Sequence, residues 1–235
     1  MMKMRSVLRP ALLLLLVPQG FAATGLTGFP FTEEALNYSI KWPTGVPLGE
    51  AHLRARPAAP GWSFEMTLNG GVSGFEVNDR YSSHASADFC SDDFVRQFVH
   101  GRRKGNETET IDRSHATVTR VSTGGGGKSE FAVPDCTKDA LTMLFYARRE
   151  LGQGRVPAAQ QMLFGGLYQV TMIYTGAETI AVMGKPDVTD KVLCDVKGPS
   201  SSVQFEVWFA RDAARTPVLF RVPFSLGRFS MELVR

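Results

Sequence analysis

The sequence predicts a mainly β protein with one principal α-helix, built as a curved antiparallel sheet or open half-barrel packed against that helix. Three observations predict it. Apolar and polar residues alternate along most of the chain, as in Leu36, Tyr38, Ile40 and Trp42 with Asn37, Ser39 and Lys41 between them. Short turn signals such as Pro43-Thr44-Gly45 separate these runs, which favours a meander over βαβ units. One segment, Asp135 to Leu151, instead places Ala140, Met143, Leu144, Ala147 and Leu151 on a single helical face.

The elements follow in order. After the first strand, Ala51, Leu53 and Ala55 alternate with Glu50, His52, Arg54 and Arg56. Trp62, Phe64, Met66 and Leu68 form the next apolar face, and Phe75, Val77, Asp79 and Tyr81 resume one after Gly70-Gly71 and Gly74. More polar strands are expected at 94–101, 107–112, 117–121 and 129–133, with turns at Asn106, Asp112-Arg113 and 124–127. Asp135 or Thr137 is expected to cap the helix, Gly152 and Gly154 to end it, and Arg148 and Arg149 to complement its dipole. A hairpin is expected next, 167–174 with 178–183, turning at Thr175-Gly176. Strands at 191–196, 203–210, 217–223 and 228–234 close the chain. Trp208 has the opposite parity to Phe205 and Phe209 and so faces the other side of the sheet. With no linker and no internal repeat, residues 23–235 read as a single β-rich domain.

Charge identifies the first segment. Of 235 residues, 26 are Lys or Arg and 23 are Asp or Glu, a formal charge of +3. Lys3, Arg5 and Arg9 account for that excess, and no acid precedes Glu33. Residues 1–22 read as a secretory signal: a basic start, a short apolar run from Ala11 to Val17, Pro18, then Gly20 and Ala22 spaced for cleavage. The run is too short to span a bilayer, and no later segment is long and apolar enough to do so. The remaining body is formally neutral, which argues against a nucleic-acid partner. The expected location is the periplasm or the exterior.

An exported chain permits disulfides. Cys90 and Cys136 both sit in polar, loop-like sequence and are expected to pair, whereas Cys194 lies in an alternating run that suits a buried thiol.

No motif announces catalysis, a cofactor or a metal. Gly124-Gly125-Gly126-Gly127-Lys128-Ser129 resembles the end of a phosphate loop, but Ser122 stands where the first Gly belongs and a strand follows. His52, His84, His100 and His115 are far apart and form no zinc motif. Asp88, Asp92 and Asp93 lack the spacing of a calcium loop. Arg102-Arg103-Lys104 reads as a hairpin tip able to touch anionic headgroups or polysaccharide. The aromatics Trp42, Trp62, Phe64 and Phe205 are the candidate lining of a concave, lipid-binding face.

Three places carry a family resemblance. They are 36–42 with Leu48-Gly49-Glu50-Ala51, the helical run 139–148, and Val207-Trp208-Phe209-Ala210-Arg211-Asp212 followed by Arg215-Thr216-Pro217-Val218. In this order and spacing the chain resembles the exported bacterial family called domain of unknown function 3108. The resemblance implies a secreted or periplasmic β-rich domain and no catalytic residues. The expected architecture also looks like the periplasmic lipoprotein-carrier fold, whose members hold acyl chains on a concave sheet face; this is analogy.

The first expectation for function is therefore a non-enzymatic periplasmic or secreted protein of the cell envelope that binds a lipid or other amphiphile. The second is a cell-wall or polysaccharide hydrolase using carboxylates or a His, with His84 beside Asp79 or Asp88. The third is a structural partner of an envelope complex, joined through exposed strand edges.

Overall fold

The computed structural model describes residues 33–72, 74–123, 126–199, 201–224 and 227–234, so the expected export signal lies outside the described residues. The first eight strands form a continuous meander: β1 (Glu34–Lys41), β2 (Pro47–Ala58), β3 (Gly61–Val72), β4 (Phe75–Ser86), β5 (Ser91–His100), β6 (Arg103–Asp112), β7 (Thr117–Thr123) and β8 (Gly127–Ala132). A two-residue strand β9 (Lys138–Asp139) leads into helix α1 (Ala140–Gly152). The second meander follows: β10 (Gln160–Leu163), β11 (Leu167–Val182), β12 (Lys185–Lys197), β13 (Ser202–Ala210), β14 (Pro217–Phe224) and β15 (Gly227–Val234).

All fifteen strands belong to one sheet, because β1 pairs with β15 and joins the two meanders. Every ladder is antiparallel except the short β9–β10 pair. Among the described residues the end strands β8 and β9 do not pair with each other, so the sheet stays open. A twisted sheet this wide curls rather than lying flat. Here it rolls until Leu163 of β10 is buried against Val118 of β7 and Val133.

The rolled sheet encloses α1. The Phe145 ring stacks on Phe64 of β3 at 4.2 Å between centroids, and Tyr38, Leu53, Trp62, Phe89 and Leu141 complete that core. A second cluster of Val192, Cys194, Val207 and Phe209 packs beside Leu144 and Leu151. The expected curved antiparallel sheet against one helix is thus the observed fold, and Cys90 and Cys136 form the expected disulfide. Cys194 is a buried free thiol, pushed up to about 12 by burial.

Several local expectations differ. Neither Asp135 nor Thr137 caps the helix; Asp139 does, accepting from the N–H groups of Leu141 and Thr142 at 2.8 and 3.1 Å. Its other oxygen accepts from the hydroxyls of Ser83, Ser91 and Thr142 at 2.5, 2.5 and 2.7 Å. Burial pushes this carboxyl up, against those hydrogen bonds, which favour its ionised form. Arg148 does not serve the helix terminus; it is fully buried and paired with Glu34. The apolar face is also wider than the spacing predicts, since Leu141, Phe145 and Arg148 bury a second side of a helix that is wrapped on several sides. The hairpin does not turn at Thr175-Gly176. That site is a bulge within β11, accommodated by Gly176 at φ 128°, and the turn falls at Met183-Gly184. Both turn residues have positive φ, 50° and 77°, which suits a tight two-residue hairpin.

Trp208 faces away from α1, as its parity predicts. It is buried with Val182, Ala210 and Leu219, and its indole N–H donates to Glu178 at 3.0 Å.

Candidate functional site

The concave face divides along the strands. Trp62 and Phe64 of β3 lie beneath α1, stacked with Phe89 and Phe145. Further along β3, the helix no longer covers the sheet. There Leu68 and Val72 join Ile40, Leu48, Val77 and Phe229 around a cavity of about 580 Å³. Its wall is mostly apolar, and its volume suits a small organic ligand. Trp42 lines it, with its ring edge-on to Phe229 at 4.7 Å.

The four aromatics singled out from the sequence are therefore not together. Trp42 lines the cavity, Trp62 and Phe64 fill the core, and Phe205 packs on the Cys194 and Val207 cluster in the second meander. Sequence reasoning missed Ile40, Leu68 and Phe229 as a lining set. They come from β1, β3 and β15, and only the β1–β15 pairing brings the chain ends side by side.

Polar groups interrupt this apolar wall at one place. Asp79 and His100 both line the cavity, and His100 Nε2 lies 2.8 Å from Asp79 Oδ1. The Tyr81 hydroxyl donates to Asp79 Oδ2 at 2.9 Å. Burial, with the neighbouring carboxylate adding to it, pushes the Tyr81 phenol above its usual range and keeps it a donor. The sequence offered His84 as the partner of Asp79 or Asp88. His84 instead meets Asp93, with Nδ1 3.0 Å from its carboxylate. An odd separation along β4 puts Asp79 and His84 on opposite sheet faces, so they do not meet.

The Arg102-Arg103-Lys104 cluster is divided by the same alternation. Arg103 is the cross-strand partner of His100 and shares its concave face, with its guanidinium 5.6 Å from the Phe98 ring centroid. Arg102 occupies the hairpin tip and lines a neighbouring hollow that shares Val72 and Phe75 with this cavity, and Gly101 packs there on the Phe75 ring. Lys104 points to the other face.

A second polar group lies deeper, under the β10–β11 turn. Glu107 joins Arg96 and Arg120, each at 2.6 Å. Glu109, two residues on and 1% exposed, accepts from the Gly165 N–H at 3.1 Å, while its Oε1 has no hydrogen-bond partner among the described residues. Burial pushes the Glu109 carboxyl up to about 7, opposed by the Gly165 N–H and by Arg120. These two carboxyls share one strand face and do not oppose each other across an open cleft, as a glycosidase pair must. In the Asp88, Asp92 and Asp93 segment, Asp92 pairs with Arg113 at 2.6 Å and Asp93 lies 3.0 Å from His84. Among the described residues no group of three or more His, Cys, Asp or Glu is placed to hold a metal, and no helix is long and apolar enough to cross a membrane.

Comparison with solved structures shows a fold likeness to a beta-barrel-like protein of domain of unknown function DUF1849 from Brucella abortus. The TM-score is 0.63 at 8% identity, covering 88% of this chain and 98% of that one. At that identity the likeness concerns the fold alone. A search of curated proteins finds no match. The sequence profile of the family described as "Protein of unknown function (DUF3108)" matches residues 37–234. That span covers both meanders, the helix and the whole cavity wall, and the chain belongs to the DUF3108 family.

Proposed function

We propose that the protein is a non-enzymatic, exported binding protein of the cell envelope, and that the cavity between Trp42 and Val77 holds the apolar part of a lipid or other amphiphile. The observation that carries this reading is the uncovered apolar stretch of the concave face, about 580 Å³ in volume, beside a half that α1 fills completely. Apolar surface left open on a protein face marks a ligand or partner site. Export fits the disulfide and the proposed signal at 1–22, with residues 23–235 acting as one unit.

Trp42 supplies the test, because Trp62 and Trp208 are buried elsewhere. A nitroxide-labelled long-chain methyl ester should quench the emission of the purified protein, and Trp42→Phe should remove the quenched component. Leu68→Trp, which fills the cavity, should block binding. Emission unchanged up to the solubility limit of the ester, with no amphiphile in native mass spectra, overturns the reading.

A further inference from the structure

The cavity has a chemical polarity as well as an apolar wall. Resting on the binding role proposed above, we infer that its ligand is a single-chain amphiphile with an anionic headgroup, seated on His100, Arg103 and Arg102 at the open end. The geometry supplies three arguments.

First, the basic groups converge there. Arg103 stands directly across the β5–β6 ladder from His100, on the concave face, and Arg102 occupies the tip between them. Of the nearby acids, Asp79 bonds His100 and Tyr81, and Glu76, one residue from both Phe75 and Val77 along β4, stands on the other face of the sheet.

Second, His100 is oriented. With Asp79 as acceptor, its Nε2 carries a hydrogen and its ring is fixed at the cavity wall.

Third, an apolar wall adjoins these groups. Phe75 and Val77 lead across the sheet from the tip toward Leu68, Ile40 and Trp42. The hairpin is held in position, since the Gly101 N–H donates to the Glu76 carbonyl at 2.7 Å and Gly101 packs on the Phe75 ring. Charge at the mouth and apolar surface behind it match a fatty-acid-like or alkyl-phosphate molecule.

The test compares a nitroxide-labelled long-chain carboxylic acid with its methyl ester, both read by Trp42 quenching. The acid should bind about tenfold tighter, the worth of one charge-assisted hydrogen bond. Arg102→Ser with Arg103→Ser should erase that preference by lowering acid affinity about tenfold more than ester affinity. His100→Gln should weaken acid binding more than ester binding. Equal affinity for acid and ester overturns the headgroup assignment and leaves the binding role intact. Failure of both ligands overturns the binding role itself. Dodecyl phosphate should displace the acid. Displacement by inorganic phosphate at the same concentration would make this a free-anion site and overturn the amphiphile assignment.

Discussion

The Arg148 guanidinium, with no exposed side-chain surface, grips the Glu34 carboxylate through two parallel hydrogen bonds of 2.6 and 2.8 Å. Its Nε also donates to the Ala214 carbonyl at 3.0 Å. One side chain thus ties α1 to the first strand and to the turn before β14. Removing one partner of a buried ion pair leaves the other charge stranded, so Arg148→Met should destabilise by about 3–5 kcal/mol in urea unfolding. Adding Glu34→Leu should recover part of that loss. A double variant less stable than Arg148→Met would refute this account.

Glu109 sets a pH dependence. Burial raises its folded carboxyl from 4.5 to about 7, so between those values the folded protein holds a proton that the unfolded chain releases. Stability from this group is complete below pH 4.5 and is lost as pH rises to about 7. The shift corresponds to about 3 kcal/mol. Glu109→Gln should flatten that part of the stability profile and raise stability at pH 8. An unchanged slope between pH 5 and 7 would locate the titration elsewhere.

The disulfide fastens the entry to α1 onto the β4–β5 turn, where the Ser91 N–H also donates to the Thr137 carbonyl at 2.9 Å. Cutting it should cost about 4 kcal/mol in the chain-entropy account. Iodoacetamide should label no cysteine in the folded oxidised protein and one after unfolding, because Cys194 is buried and its thiol is held protonated. Labelling of Cys194 at the unfolding-independent rate of a free thiol would contradict that burial.

Asp139 gathers five donors, three of them hydroxyls from Ser83, Ser91 and Thr142. Asp139→Ala should therefore cost more than an ordinary N-cap, at least about 3 kcal/mol, because buried donors lose their acceptor. Calorimetry would check this. A loss below about 1 kcal/mol would mean that the hydroxyls find other partners.

Much of this fold was legible in the sequence because strand alternation is a local signal. Leu36 through Trp42 and Trp62 through Leu68 declare their faces without help from the rest of the chain. The disulfide was legible because Cys194 sits within an alternating, strand-like run and the other two cysteines sit in polar, loop-like sequence. The helix cap was not, since Asp135, Thr137 and Asp139 are all capping residues and the choice falls to hydroxyls on β4 and β5. The cavity was hidden for a related reason. Trp42, Trp62 and Phe64 are similar aromatics on inward-facing strand positions, and docking of Phe145 decides which become core and which stay open. Asp79 and His100 meet through the β4–β5 register, which no spacing within either strand reveals.

The bulge at Gly176 has a consequence for how copies of this protein meet. Beyond Val170, β11 has a ladder partner on one side only among the described residues, and Ile173 and Tyr174 stand exposed along it. Such a margin invites a second chain to add as a further strand and so to begin a fibril. The extra residue, Thr175, breaks the repeat of free N–H and C=O groups into two short stretches, 171–174 and 176–182. A straight incoming strand can match either stretch but not both at once, so the bulge works against edge-to-edge pairing along this margin.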